Sequence, residues 1–382
     1  MRTLNCERCG ARVFFENIAC STCGAALGFV PDELAMASFE LDPQGAWVRL
    51  ADRPAQQPCA NYAQAQVCNW MVPAGSANPL CLSCRTTHIL PALSKPENLA
   101  YWTLIEQAKR RLFYGLRALQ LPVPGKAEDP EHGVSFQFLE QLEPTTKVLT
   151  GHDSGVITLN IAEADDARRE KMRTRLHEPY RTLLGHFRHE IGHYYWDRLI
   201  AESPWIDEYR ALFGDERADY AQALQAHYAS PRADWAGEFV SAYASSHPWE
   251  DWAECWAHYL HVQDGLETAA AWGLRLTRAV PDAEPILATP LDPEAESLEP
   301  SLIEQWLPVS QFVNAMARSL GSHDNYPFVM PTPVVHKLEF IHKVVRAAVH
   351  GEVPMRFATV APDTGEAPVQ APAVDTPAPL AA

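Results

Sequence analysis

Apolar residues recur at helical spacing through the middle of the chain. In AYWTLIEQAKRRLFYGLRALQ (100–120), Leu104, Ala108, Leu112 and Leu116 fall four apart and predict the core face of a helix. The basic trio Lys109, Arg110 and Arg111 is then expected on its solvated side. A long helix is predicted over about 167–200 with a break near Pro179, and another over about 216–228. A third starts at Pro248, where a proline in the first turn is followed by Glu250 and Asp251, and runs to about 272. Alternating apolar residues predict strands at VSFQFLE (134–140) and VITLNIAEA (156–164), with a hairpin turn at Gly151 to Gly155. Residues 1–95 show only short extended runs among many Pro and Gly. The stretch 281–300, with six acidic residues and five prolines, reads as a surface loop. Residues 351–382 are Pro/Ala-rich with almost no large apolar side chains, so they cannot offset their chain entropy and are expected to be a disordered tail.

Composition narrows the class. The 382 residues are 47% hydrophobic and 21% charged, with eleven Trp, twelve Tyr and fourteen Phe, enough to fill a sizeable core. No apolar run approaches the ~18 residues of a membrane span, and MRTLNCERCG does not read as a secretory leader, so a cytoplasmic protein without a membrane partner is expected. A net charge of −17 argues against nucleic acid as a partner, since phosphate contact needs clustered cations. That charge is uneven. Residues 1–95 hold seven basic and seven acidic side chains, leaving the whole excess downstream.

The cysteines are equally uneven, with eight of nine between Cys6 and Cys84. In a reducing compartment such crowding points to metal ligands rather than disulfides. Cys6-x2-Cys9 and Cys20-x2-Cys23, ten residues apart, suit one tetrahedral four-thiolate zinc, and Gly10 and Gly24 supply the permissive backbone each knuckle needs. Cys59, Cys68, Cys81 and Cys84 are less regular but offer a second set. His88 lies close by, and spacing leaves open whether the sites are sequential or interleaved. Complete thiolate ligation leaves no open position, so both would be structural. The chain thus divides into a zinc-ribbon module (1–95), a mostly helical domain with a small sheet (96–350) and the tail (351–382), an α+β class.

The chemistry concentrates in YRTLLGHFRHEIGHYYWDRL (180–199). His189-Glu190-Ile191-Gly192-His193 is an HExxH motif on a helix whose apolar face is Leu183, Leu184, Phe187, Ile191 and Tyr195. Spacing i, i+4 puts both imidazoles on one side to hold one Zn²⁺, with Glu190 beside them as a proton acceptor. A third ligand from a later element is needed. Trp196 and Leu199 occupy the places where a metzincin has Gly and His. The carboxylates left are Glu250 and Glu254 in FVSAYASSHPWEDWAECWAHYLH (239–261), and Glu216. Glu254, if not a ligand, can orient His189 or His193, and Asp251 suits the helix N-terminus. His186, His258 and His261 read as ordinary helical histidines, and Cys255 as a small buried hydrophobe.

HExGH with a downstream Tyr-x6-Glu resembles gluzincin peptidases of the lethal factor and Mlc titration factor type. The full layout, a Cys-rich start followed by HEIGHYYWDRL and HPWEDWAECWAHYLH, is similar to the bacterial family of zinc-binding metallopeptidases over most of residues 1–350. The resemblance implies a zincin-like fold with Glu250 as third ligand. It also implies that Tyr243 hydrogen-bonds the substrate carbonyl or oxyanion.

The expected function is peptide-bond hydrolysis with one catalytic and two structural zinc ions. Glu190 serves as general base towards zinc-activated water, and Tyr243 stabilises the oxyanion. The substrate is a protein or peptide, with VITLNIAEA as an edge strand that could pair with it. The ribbon module would recruit or gate a protein partner. Two other classes remain: a catalytically weak zincin-fold adaptor or regulator, and nucleic-acid binding by the ribbons, which their neutral charge weakens.

Overall fold

The structure, a computed structural model, describes residues 1–141, 148, 150–176, 178–277 and 284–352. The Cys-rich segment folds as short antiparallel pieces. β1 (Leu4–Asn5) pairs with β2 (Arg12–Val13), and β3 (Ala26–Val30), β4 (Ala35–Leu41) and β5 (Trp47–Arg49) form a three-stranded sheet. β6 (Gln56–Pro58), the short helix α1 (Ala60–Ala65) and β7 (Met71–Pro73) complete it, β6 pairing with β7. β8 (Thr87–Ile89) then leaves these pieces and joins a different sheet.

The second part is mostly helical: α2 (Pro96–Ala118), α3 (Asp166–Leu176), α4 (Leu183–Leu199), α5 (Ile206–Phe213), α6 (Tyr220–Ala229), α7 (Pro248–Ala271), α8 (Leu307–Ser319) and α9 (Thr332–Val349). Between α2 and α3 lie β9 (Ser135–Leu139), β10 (Gly151–Asp153) and β11 (Val156–Asn160). Their sheet runs β10-β11-β9-β8, parallel except for the β10–β11 hairpin. That hairpin turns on Ser154 and Gly155, both at positive φ, the geometry that matches strand twist. A small pair, β12 (Arg275–Leu276) with β13 (Ile286–Leu287), follows α7. The zinc-ribbon piece followed by a helical part with small sheets is an α+β arrangement. No helix among the described residues is long and apolar enough to cross a membrane.

One hydrophobic core runs through both parts. At their junction Phe15 packs on Phe29 (4.8 Å between ring centroids) and on Tyr114 of α2 (5.6 Å).

The break expected near Pro179 is present, with α3 and α4 on either side of it, while other expectations are revised. Leu104 is exposed, whereas Ala108, Leu112 and Leu116 are buried. Lys109 and Arg110 are buried rather than solvated, because partners distant in sequence meet them. Lys109 Nζ pairs with Glu106 (3.0 Å) and donates to Thr87 of β8, over the faces of Phe136 and Phe138. Arg110 Nη1 donates to the Val67 carbonyl at 2.7 Å. β11 is no edge strand, since β10 and β9 flank it on both sides; the free edge on that side is β10. Residues 284–300 include β13 within the expected loop. The tail expected to be disordered lies, from Val353 on, outside the described residues.

Candidate metal centre

α4 and α7 build the centre, and their sequences fix where each begins. Thr182 caps α4 by accepting from the Gly185 N–H at 2.9 Å. His247 caps α7, its Nδ1 accepting from the Trp249 N–H at 3.1 Å, and Pro248 opens the first turn. The helices pack closely at Gly192. A Cβ there would lie 3.0 Å from Ala253 Cα and 3.1 Å from Trp256 Cβ. Trp252 Nε1 donates to the Gly192 carbonyl at 2.8 Å, and Tyr195 stacks on Trp256 at 4.8 Å. Phe187, on the sheet side of α4, packs against Phe136 of β9 at 5.6 Å.

This packing converges three atoms. Glu250 Oε2 lies 3.0 Å from His189 Nε2 and 3.5 Å from His193 Nε2, and the two Nε2 atoms are 3.2 Å apart. Ligands about 2.0–2.1 Å from a tetrahedral zinc stand roughly 3.3–3.4 Å from one another, so the triangle has the size of one face of such a site. Glu250 Oε2 is buried without a hydrogen-bond donor, a costly state that a cation would relieve.

Surrounding groups fix these three side chains. His189 Nδ1 donates to Glu254 Oε1 at 2.8 Å, which leaves Nε2 as the free lone pair, and Ser241 Oγ donates to Glu254 Oε2 at 2.7 Å. Trp249 covers His193, with ring centroids 3.8 Å apart, and His152 of β10 stacks 6.2 Å from it. Glu190 is buried, and that burial raises its pKa to about 7, with Glu250 and Glu254 adding to the shift against His189. The Tyr243 ring lies 5.9 Å from that of His189. Burial, then the charge of Glu250, pushes its hydroxyl above the ordinary range, so it stays a donor.

The structure therefore brings His189, His193 and Glu250 together, with Glu254 behind His189. Glu216 is not with them; it pairs with Arg210 at 2.5 and 3.0 Å. Asp251, an acidic residue in the first turn of α7, also forms a buried ion pair with Lys337 of α9 at 2.6 Å. His258 and His261 take protein partners, Tyr326 and Arg188, and Cys255 is buried. Sequence reasoning missed Tyr220, whose Oη donates to Glu250 Oε1 at 2.6 Å, and also Ser241, Trp249 and His152. No motif spacing ties any of these to the HExxH helix.

The thiols form two further groups, Cys6, Cys9, Cys20 and Cys23, then Cys59, Cys68, Cys81 and Cys84. The sites are sequential, not interleaved. Sγ atoms stand 3.7 Å apart for Cys6–Cys23 and Cys9–Cys20, and 3.8 Å for Cys68–Cys81. Four sulfurs about 2.3 Å from one zinc are separated by roughly 3.8 Å, so both sets fit structural zinc. In the first, Gly10 and Gly24 take φ of 72° and 73° and donate to the carbonyls of Cys6 and Cys20, two matching knuckles. In the second, backbone N–H groups of Trp70 and Cys81 point at the sulfurs of Cys68 and Cys59, each at 3.3 Å. His88 is exposed and takes no part. Burial works against the charge of Arg110, but the thiolates of Cys68 and Cys84 beside it sustain that charge.

Comparison with known proteins agrees with this arrangement. Residues 98–344 match a family described as "Putative zinc-binding metallo-peptidase", and residues 3–95 match a zinc-ribbon domain. Uncharacterized proteins of Mycobacterium bovis and of two Mycobacterium tuberculosis strains are each 46% identical over 347 residues, covering 90% of this chain and 95% of the relative. No solved structure matches the chain. With both matches and relatives of nearly full length, the chain belongs to this zinc-binding metallo-peptidase family, with a zinc ribbon at its N-terminal end.

Proposed function

We propose that the protein is a zinc-dependent peptidase of gluzincin type that hydrolyses peptide bonds in a protein or peptide substrate. The observation that carries this is the buried triangle of His189 Nε2, His193 Nε2 and Glu250 Oε2, 3.0 to 3.5 Å on a side. These three residues would hold the catalytic zinc, which, when bound, polarises the scissile carbonyl and lowers the pKa of water. Glu190 accepts a proton from the attacking water and delivers it to the leaving amine nitrogen. Tyr243 keeps its proton and donates to the oxyanion that develops on the substrate. Glu254, held by Ser241, keeps His189 in the tautomer that presents Nε2. The two thiolate sites staple the ribbon, which we assign the role of engaging a protein partner. Reduced thiols at both sites suit the cytoplasm.

Glu190→Gln tests the reading. The variant should retain three zinc equivalents and lose cleavage of a denatured proteome by about 10²–10⁴-fold. Unchanged cleavage, or wild-type protein holding zinc at the two thiolate sites alone, would overturn it.

A further inference from the structure

We infer that Tyr220 is a positioning residue of the metal centre, one that restricts Glu250 to binding through a single oxygen. This rests on the proposed assignment of His189, His193 and Glu250 as the catalytic zinc ligands.

The two oxygens of Glu250 have different surroundings. Oε2 faces both imidazoles, while Oε1 accepts the Tyr220 hydroxyl at 2.6 Å. A hydrogen bond that short, to a carboxylate, takes one lone pair of Oε1 and draws charge from it, so Oε1 is the poorer of the two oxygens as a donor to the same cation. The carboxylate then offers one ligand atom, and the position that a second oxygen would fill stays open for substrate and water.

The phenol is held where it is needed. Asp219 caps α6, accepting from the Gln222 N–H at 2.9 Å, and so fixes the turn that presents Tyr220. The Tyr220 ring meets His247 at 5.3 Å and Trp249 at 5.8 Å, the cap and first turn of the helix that carries Glu250. His247 Nε2 in turn donates to the Ala218 carbonyl at 3.2 Å. None of the residues of α6 is fully buried. The helix meets the centre at both ends, through Tyr220 on Glu250 and through the His227 ring, 5.9 Å from that of Tyr243.

The experiment uses the full chain with Tyr220→Phe, loaded with zinc at all three sites and titrated with a chelator. The two thiolate equivalents report that the variant is folded. The affinity for the third equivalent should differ from wild type by about 10- to 100-fold, since the carboxylate is no longer held to one oxygen. With cobalt in the catalytic position, the visible absorption should weaken as the freed Oε1 raises the coordination number. In a Glu250→Ala background, Tyr220→Phe should change metal affinity far less, because both carboxylate oxygens are gone; a general loss of stability would persist in that background. Equal affinity and an unchanged cobalt spectrum in Tyr220→Phe would overturn the inference, as would an undiminished effect in the double variant. Wild-type protein with no third equivalent would instead overturn the metal assignment beneath it.

Discussion

Gly192 sits inside the HExxH motif at the point where the two ligand-bearing helices touch. An added Cβ would press against Ala253 Cα, which cannot rotate away, and against Trp256 Cβ. Gly192→Ala is therefore expected to destabilise the protein by ~1–3 kcal/mol, read as a lowered denaturation midpoint, despite alanine's better helix propensity. A midpoint equal to wild type or higher would show that the helices have room to part. The motif itself was legible because the i, i+4 spacing of His189 and His193 is a local fact. Glu254 behind His189 was legible for the same reason, one turn from Glu250 on the same helix. Tyr220 was not, because its role depends on a contact made thirty residues away.

At the level of elements, α4 and α7 could be read in outline, since caps, prolines and apolar spacing all act within a few residues. What α2 buries could not be read that way. Periodicity assigned Lys109 and Arg110 to solvent, but Glu106, Thr87 and the Val67 carbonyl supply partners that make burying two cations tolerable. β11 misled for a related reason, as the sequence gives no sign that β9 lies on its far side. α7 also carries a testable pH dependence. His258 Nδ1 meets Tyr326 Oη at 2.6 Å, and burial lowers the histidine pKa to about 4. The folded state thus binds fewer protons than the unfolded chain, whose histidines titrate near ~6.5. Stability present above pH ~6.5 is lost as pH falls towards 4, up to ~3 kcal/mol from this residue. Replacing His258 with Gln should shrink the drop in melting temperature between pH 7 and pH 5. An equal drop in both proteins would exclude His258 as its source.

Across the whole molecule, the ribbon and the helical part share a core and a sheet. β8 pairs with β9, Phe15 packs on Tyr114, and Arg111 of α2 bonds Glu16 at 2.6 Å. A fragment beginning at residue 96 would lack β8 and expose the inner face of α2. It should be insoluble or fail to unfold cooperatively, whereas the full chain should melt in one transition by calorimetry. Two separated transitions, or a well-folded fragment, would show the parts to be independent. Arg110 carries a related consequence. Four thiolates around a dication would keep two net negative charges, and at the second site those charges would sit in the interior with Arg110 as a cationic neighbour from the other part of the chain. The ribbon is therefore not a cassette. Recombination that moved it onto an unrelated enzyme would strand that charge unless the acceptor brought its own guanidinium, so ribbon and helical part are expected to be inherited together.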